Sequence, residues 1–210
     1  MDTKKRNNMN VYVRVMNDVV KGAIQDLAET LDEKDKNTFL HCRRVLDMCI
    51  LVGFRLRLSI QEIEDLALAA FLHDVGKIGV PDKILKKPGA LTGEETEVMR
   101  THPRVSAGVL SAAGGSRESV KAVACHHERY DGKGYPYGLK GENIPLLSKI
   151  ISVADAYDSM TSKRVYADAV DKKEAILRLV SCSGTQFDPG ITDIFIERVK
   201  TSRVYLLEAI

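Results

Sequence analysis

Five histidines are the residues of this sequence best suited to chemistry, and two of them are adjacent. They are His41, His73, His102, His126 and His127. Asp74 follows His73 directly. Imidazole and carboxylate groups together suit iron, manganese, nickel or zinc, and a carboxylate can bridge two ions. A single histidine on a helix is usually a structural group, but five that all lie at helix ends or beside polar positions indicate a metal centre.

The adjacent pair His126 and His127 bears on the number of metal ions. Neighbouring side chains on a helix diverge by about 100°. This is poor geometry for chelating one ion, but it suits two ions or two sides of one cluster. The pair therefore predicts a site with two metals.

Two aspartates, Asp155 and Asp158, lie three residues apart on one face of an otherwise apolar helix. A buried aspartate needs a partner, and a metal ion is such a partner. Asp155 is expected to lie deeper than Asp158, for which an N-cap or a buried salt bridge is an equal alternative. Lys77, four residues after His73, suits a phosphate oxygen, although a lysine in a loop is often simply solvated.

The elements that must hold these side chains are helices. Helix starts are indicated by capping pairs or by proline in the first turn at Ser59 with Glu62, Thr92 with Glu95, Pro103, Asp171 with Glu174, and Asp188 with Pro189. A first helix is predicted over residues 11–31, and a second one is expected to end near Gly53. No stretch alternates between apolar and polar residues as a strand would, so the predicted fold class is all-α.

Composition excludes several classes of function. A net charge of +2 is too mild for binding duplex nucleic acid by charge. No apolar run is long enough for a membrane span, and the N-terminal residues lack the pattern of a secretion signal. A cytoplasmic location is therefore expected. The four cysteines form no C-x-x-C pair, so free thiols in a reducing compartment are expected.

Three long segments resemble the HD-GYP family, a branch of the HD metal-dependent phosphohydrolases. They read HDVGKIGVPDKILKKPGALT from His73, HHERYDGKGYPYGLKGENIP from His126, and VADAYDSMTSKRVY from Val153. The resemblance extends from about His41 to Pro189. It implies an HD-type helical bundle around a metal centre and the hydrolysis of cyclic di-GMP, a bacterial second messenger. The implied products are the linear dinucleotide pGpG and, after a second cut, GMP.

The resemblance also implies roles for particular residues. The implied metal ligands are His41, His73, Asp74, His102, His126, His127 and Asp155, with Asp74 bridging. The implied catalytic residues are Asp74 and Lys77. The implied substrate contacts are Lys77, Tyr135, Asp158 and Arg164. Two divalent ions, iron or manganese before nickel or zinc, would hold a bridging hydroxide that attacks the phosphorus atom.

The chain is predicted to divide into an N-terminal helical segment, residues 1–34, and an HD-GYP domain, residues 35–210. The apolar face of the first helix is too short to be stable in isolation. It must therefore pack on its own domain or pair with the same helix of a second chain, and a homodimer is the hypothesis we favour. An upstream sensor or receiver domain would attach to the same segment.

The sequence departs from the family pattern at Asn37, where members with a third metal carry glutamate, and at Ala167, where lysine is usual. Because a cation is lost at Ala167, an alternative function is that of a catalytically weak receptor that binds a cyclic dinucleotide or a partner protein. A phosphodiesterase for another cyclic dinucleotide, such as cyclic GMP-AMP, and a di-iron oxygenase are further alternatives. The intact ligand set and Lys77 favour phosphodiester hydrolysis.

We expect two tightly bound metal ions per chain, because the neutral amide of Asn37 is a poorer ligand for a hard cation than a carboxylate. Elemental analysis of anaerobically purified protein checks the number. Asn37→Glu is expected to raise it to three, whereas Asn37→Gln, which keeps the amide, is expected to leave it at two. Three ions in the unchanged protein would contradict this expectation.

Overall fold

The computed structural model describes residues 24–162 and 169–201, with side chains from residue 38 onward, and this part of the chain is helical. The α-helices are α1 (Ile24–Leu56), α2 (Ile60–Leu72), α3 (Asp82–Leu85), α4 (Gly93–Met99), α5 (His102–Ala112), α6 (Arg117–Ala124), α7 (Leu146–Thr161), α8 (Lys172–Cys182) and α9 (Pro189–Thr201). Short 3-10 turns cover Val75–Gly79 and Gly141–Asn143. Within the described ranges the one β contact is an isolated bridge between Ser183 and Phe187, so the predicted all-α class is confirmed.

The predicted helix starts lie where the capping residues stand. Ser59 and Thr92 each accept a hydrogen bond from the backbone N–H of the glutamate three residues later, and that glutamate accepts one from the cap N–H in return. Asp171 caps α8 through its side chain. Pro103 lies in the first turn of α5, and Pro189 begins α9. Each of these contacts involves near neighbours in sequence, which is why the sequence predicts them.

Helix α1 is continuous where two helices were predicted. The break expected between Leu31 and Leu40 is wrong, since the backbone remains helical across it. The intervening residues include no proline or glycine, so nothing there forces the helix to end. The domain boundary predicted at residue 34 lies inside this helix, and the division into two domains stays a prediction. Residues 1–23 lie outside the described residues, so pairing of the N-terminal helix between two chains also stays a prediction.

Helix α1 ends at Leu56, near Gly53 as predicted, and Gly53 itself lets the helix pack closely on α2. A Cβ atom at Gly53 would lie 2.5 Å from Cδ1 of Ile63. The helix ends one turn later, where Arg57 has a φ of 60°. The N–H of Leu58 donates to the carbonyl oxygen of Gly53 at 3.1 Å, and that of Arg57 to Phe54 at 3.3 Å. This pattern is a Schellman motif, with an arginine in the place that glycine usually takes.

The core is formed mainly by the apolar faces of five helices. Helix α1 packs against α2 and α7, and α6 packs against α2, α5 and α7. The large side chains that are fully buried include Leu46, Ile50, Leu66, Leu110, Ile150 and Ile151. Cys42, Cys49 and Cys125 are buried free thiols, and Cys182 is partly buried and also free. Among the described residues, none of the helices combines the length and apolar character needed to cross a membrane.

The 3-10 turn after Asp74 makes close backbone contact with α5. The N–H of Gly76 donates to Oγ of Ser106 at 2.7 Å. A Cβ atom on Gly76 would lie 2.3 Å from the carbonyl oxygen of His102 and 2.6 Å from the backbone nitrogen of Ser106. Glycine is therefore required for this approach, which brings Asp74 and His102 to the same place.

We expect Gly76→Ala to destabilise the fold by about 1–3 kcal/mol, because the added methyl group meets backbone atoms that cannot turn aside. Gly108→Ala on the exposed side of α5 is the matched control, since its Cβ would meet nothing within 4 Å. The control is expected to be neutral or stabilising by up to about 1 kcal/mol. Urea unfolding followed by circular dichroism measures both. Equal stability of the two variants would contradict the proposed packing.

Candidate metal centre

The residues predicted to bind metal converge on one site from several parts of the fold. They are supplied by α1, the residues after α2, the start of α5, the turn after α6, and α7. Their ligand atoms form overlapping groups within 4.8 Å, namely His41 with His73 and Asp155, His73 with Asp74 and His126, and His102 with His126 and His127. The structure therefore brings all seven predicted ligands together.

Three imidazoles are anchored in the same way, through Nδ1. In His73, His102 and His126 this atom lies 2.8, 2.7 and 2.6 Å from the carbonyl oxygen of the residue three positions earlier. A carbonyl oxygen can only accept, so Nδ1 carries the proton and donates it. In a neutral imidazole Nε2 then keeps a free lone pair, which in each of these rings faces the cluster.

The Nε2 atoms of His41, His73 and His126 are buried and, in the part of the chain that the structure describes, have no hydrogen-bond partner. A buried polar atom left unpaired costs about 1–3 kcal/mol. His73 and His126 carry their proton on Nδ1, so their Nε2 atoms are two unpaired acceptors in one cluster. They favour a ligand that takes up lone pairs, and a metal cation is such a ligand.

Asp74 lies between the groups of imidazoles. Its Oδ1 is 3.3 Å from Nε2 of His102, whereas its Oδ2 is 3.6 Å from Nε2 of His73 and 3.8 Å from Nε2 of His41. Burial alone would raise the pKa of this carboxyl, but the Lys77 ammonium and the histidines outweigh burial and hold the pKa well below its usual range. Asp74 is therefore an anion whose two oxygens face different imidazole groups, the arrangement expected of a bridging ligand.

Burial keeps most of these imidazoles neutral. It lowers the pKa of His73, His102 and His126, and it lowers that of His127 to about 4. His41 differs, because burial lowers its pKa while the neighbouring carboxylates of Asp155 and Asp158 outweigh burial and raise it to about 9. Four of the five rings are thus ready to donate a lone pair at neutral pH, and His41 would release a proton on binding a metal.

The adjacent histidines do not diverge, and that prediction is wrong. Helix α6 ends at Ala124, so His126 and His127 lie in the turn beyond the helix. Their ring centroids are 4.1 Å apart, with planes inclined by 42°. Nε2 of His127 lies 3.2 Å from Nε2 of His102. The 100° rule assumed a helical backbone, and outside the helix both rings face the same cluster.

Asp158 is more buried than Asp155, opposite to the prediction, with side chains 3% and 18% exposed. Oδ1 of Asp155 lies 3.2 Å from Nε2 of His41, on the side of the ring that faces the cluster. Asp158 lies behind that ring, where Nδ1 of His41 donates to its Oδ2 at 2.7 Å. Arg44 donates to both oxygens of Asp158, at 2.6 and 2.9 Å. The buried salt bridge that the sequence analysis gave as an alternative for Asp158 is therefore present.

The loop after His127 is held by the carboxylate of Glu128, which is buried. Its two oxygens accept the backbone N–H groups of Tyr137 and Leu139, at 2.7 and 3.0 Å. The N–H of Tyr135 donates to the carbonyl oxygen of His127 at 3.2 Å. The Tyr135 ring stacks on the His127 imidazole, with centroids 4.9 Å apart and planes inclined by 27°. Tyr135 thus lies directly beside a predicted metal ligand.

Two cations border this site. Nζ of Lys77 bonds to Oδ2 of Asp74, and a quarter of its side chain is exposed. The guanidinium of Arg100 lies over the Tyr135 ring, 5.3 Å from the centroid. The predicted substrate contact Arg164, the side chain of Asn37, and Ala167 lie outside the described residues.

Sequence reasoning missed Arg44, Arg100 and Glu128. Arg44 carried a signal, since a residue three positions after His41 lies on the same face of α1. The signal for Arg100 was weaker: it lies two residues before His102 in the sequence. Nothing in the sequence distinguished Glu128 from a solvated carboxylate.

Comparison with known proteins agrees with this architecture. The family model described as "HD domain" matches residues 25–191. The chain is 41% identical over 169 residues to the cyclic di-GMP phosphodiesterase response regulator RpfG of Xanthomonas campestris, covering 80% of this chain and 45% of the relative. It is 31% identical over 192 residues to 3'3'-cGAMP-specific phosphodiesterase 2 of Vibrio cholerae, covering 90% of this chain and 37% of that relative. The chain thus spans less than half the length of these two curated relatives.

A solved structure shares the fold. Bd1817, an HDG"Y"P protein from Bdellovibrio bacteriovorus, superposes with a TM-score of 0.66 at 20% identity, covering 94% of this chain and 62% of that one. The match to residues 25–191 shows that this chain belongs to the HD domain family, and its relatives support the HD-GYP branch that its motifs predicted.

Proposed function

We propose that this chain hydrolyses a phosphodiester bond of cyclic di-GMP in a metal-dependent reaction. The observation that carries the proposal is the buried cluster of five histidines and two aspartates with unpaired acceptor nitrogens. The name of the relative with 41% identity supports this substrate. The proposed product is linear pGpG, and a second cut would give GMP.

The arrangement of the seven ligands supports two ions. His41, His73 and Asp155 would hold one ion, and His102, His126 and His127 the other. Asp74 offers one oxygen to each side. Divalent iron or manganese, before nickel or zinc, would lower the pKa of a bound water and offset negative charge on the phosphoryl oxygens.

The residues around the cluster would bind and orient the dinucleotide. Lys77, partly exposed beside Asp74, suits a phosphate oxygen as a compact positive charge. Tyr135 and Arg100 together present an aromatic ring and a guanidinium, groups that bind nucleobases and phosphates. Arg164 stays a predicted substrate contact. The Asp158 carboxylate is engaged by His41 and Arg44, so we assign it to the support of His41.

A second substrate is favoured by one observation. The relative with 31% identity is named a 3'3'-cGAMP-specific phosphodiesterase, so both cyclic dinucleotides belong in the same assay.

We expect protein loaded with Mn²⁺ to convert cyclic di-GMP to pGpG, resolved by liquid chromatography, and to lose this activity in EDTA. Asp74→Asn keeps the shape of the side chain but removes its charge, so it is expected to lower turnover by at least about 10- to 100-fold. Near-normal turnover by this variant with a full metal complement would contradict the bridging role. Binding of either dinucleotide without any product would instead identify a receptor.

Tyr135→Ala is expected to raise KM for the dinucleotide by about 5- to 150-fold while the metal content is unchanged, because an aromatic contact to a base is worth about 1–3 kcal/mol. Tyr137→Ala is the matched control, since that ring lies in the same loop and is 59% exposed. The control should leave KM within about twofold, as expected for a surface substitution. A fall in kcat alone, with KM unchanged, would show that Tyr135 does not contribute to substrate binding.

A further inference from the structure

We infer that Arg44 is a positioning residue for the metal centre, and that it acts on His41 through Asp158. The inference rests on the proposed function, because it concerns the metal site named there. Arg44 grips both oxygens of Asp158 with Nε and one terminal nitrogen, at 2.6 and 2.9 Å. Asp158 in turn accepts the Nδ1–H of His41 at 2.7 Å.

The carboxylate of Asp158 is fully occupied by these contacts. Its Oδ2 accepts from His41, from Arg44 and, at 3.2 Å, from the hydroxyl of Ser162. Its Oδ1 accepts from Arg44. Only 3% of the side chain is exposed, which leaves no open oxygen for a dinucleotide. This assigns Asp158 a different part from the substrate contact that the family resemblance implied.

The contact with Asp158 fixes both the tautomer and the direction of the His41 ring. A carboxylate that accepts from Nδ1 keeps the proton on that nitrogen, so Nε2 faces the cluster as the atom that binds metal. Nε2 of His41 is 3.2 Å from Asp155 and 3.8 Å from Asp74, and it is one of the buried atoms without a hydrogen-bond partner.

His41 needs such support more than its neighbours do. His73, His102 and His126 are anchored on backbone carbonyl oxygens, which the helices hold in place. His41 is anchored on a side chain that can rotate. A planar guanidinium that binds both carboxylate oxygens stops that rotation and also supplies the counter-charge that a buried carboxylate requires. Lysine could supply the charge but not the two-point grip.

Titration with Mn²⁺, followed by the electron paramagnetic resonance signal of the free ion, tests the inference without any nucleotide. Arg44→Met is expected to lower the affinity for one of the two ions by about 10- to 100-fold. This is the loss that follows removal of a group supporting a metal-binding histidine. The second ion, two of whose imidazoles (His102 and His126) have backbone anchors, should bind as before. Asp158→Asn should weaken the same ion, and Arg44→Lys should lie between Arg44→Met and the unchanged protein.

Arg55→Met is the matched control, because Arg55 also lies on α1 and pairs with a carboxylate, Glu197, far along the chain. It should leave both affinities unchanged. Circular dichroism of the metal-free proteins identifies variants that fold. If Arg44→Met does not fold, Arg44→Lys, which keeps the counter-charge, decides the matter by the same titration.

A folded Arg44 variant that binds both ions like the unchanged protein would overturn the inference. So would an Asp158→Asn protein that raises KM for cyclic di-GMP with both ions bound normally, because Asp158 would then contact substrate. Failure of the proposed function looks different, since the unchanged protein would then bind Mn²⁺ but release no pGpG. An unchanged protein that binds no Mn²⁺ would overturn both proposals.

Discussion

The whole site depends on buried imidazole nitrogens that could accept a hydrogen bond but find no donor in the described part of the protein. In the neutral imidazoles of His73 and His126, Nε2 is shielded from water and unpaired. Each costs free energy that a hydrogen bond to water would have offset in the unfolded chain. The pairing of Asp74 with Lys77 offsets the burial of one anion, but it gives nothing to these nitrogens. A cation bound in the cluster stabilises all of them at once, so the stability of the domain and its affinity for metal are linked.

The same constraint explains why the histidines stand at helix ends. A helix leaves its last four carbonyl groups without partners. Ala70, Met99 and Val123 lie in the last turns of α2, α4 and α6, and their carbonyl oxygens receive Nδ1–H from His73, His102 and His126. One hydrogen bond thus satisfies an orphan carbonyl and sets the tautomer of a ligand. His41 lies inside α1, where the carbonyl groups are already paired, and therefore depends on the side chain of Asp158.

The sequence predicted what depends on residue type and on near neighbours. The capping boxes at Ser59 and Thr92 were found because both partners lie within one turn, and the seven converging residues were nominated by their chemistry. What needed the tertiary structure was predicted less well. The predicted divergence of His126 and His127 was wrong because α6 stops at Ala124. The role of Gly53 in packing was missed because its close neighbour Ile63 lies on another helix.

The order of burial of the two aspartates was wrong for a related reason. Position in a helix shows that Asp155 and Asp158 share a face, but it does not show what covers each of them. Asp158 is covered by His41 and Arg44 from α1, more than a hundred residues earlier in the chain. A pairing over that separation leaves no pattern in a single sequence.

The loop and the metal cluster are built as one unit, which is the last consequence of these contacts. Glu128 follows His127 directly, so the group that folds the loop back on itself is covalently next to a predicted metal ligand. Its carboxylate binds the far end of the loop at Tyr137 and Leu139, and Tyr135 bonds to and stacks on His127. A displacement of the His127 ring would therefore move Tyr135 with it. The surface that would receive a base is thus kept at a set distance from the atoms that would receive the phosphate, as a reaction at one phosphodiester of a cyclic dinucleotide requires.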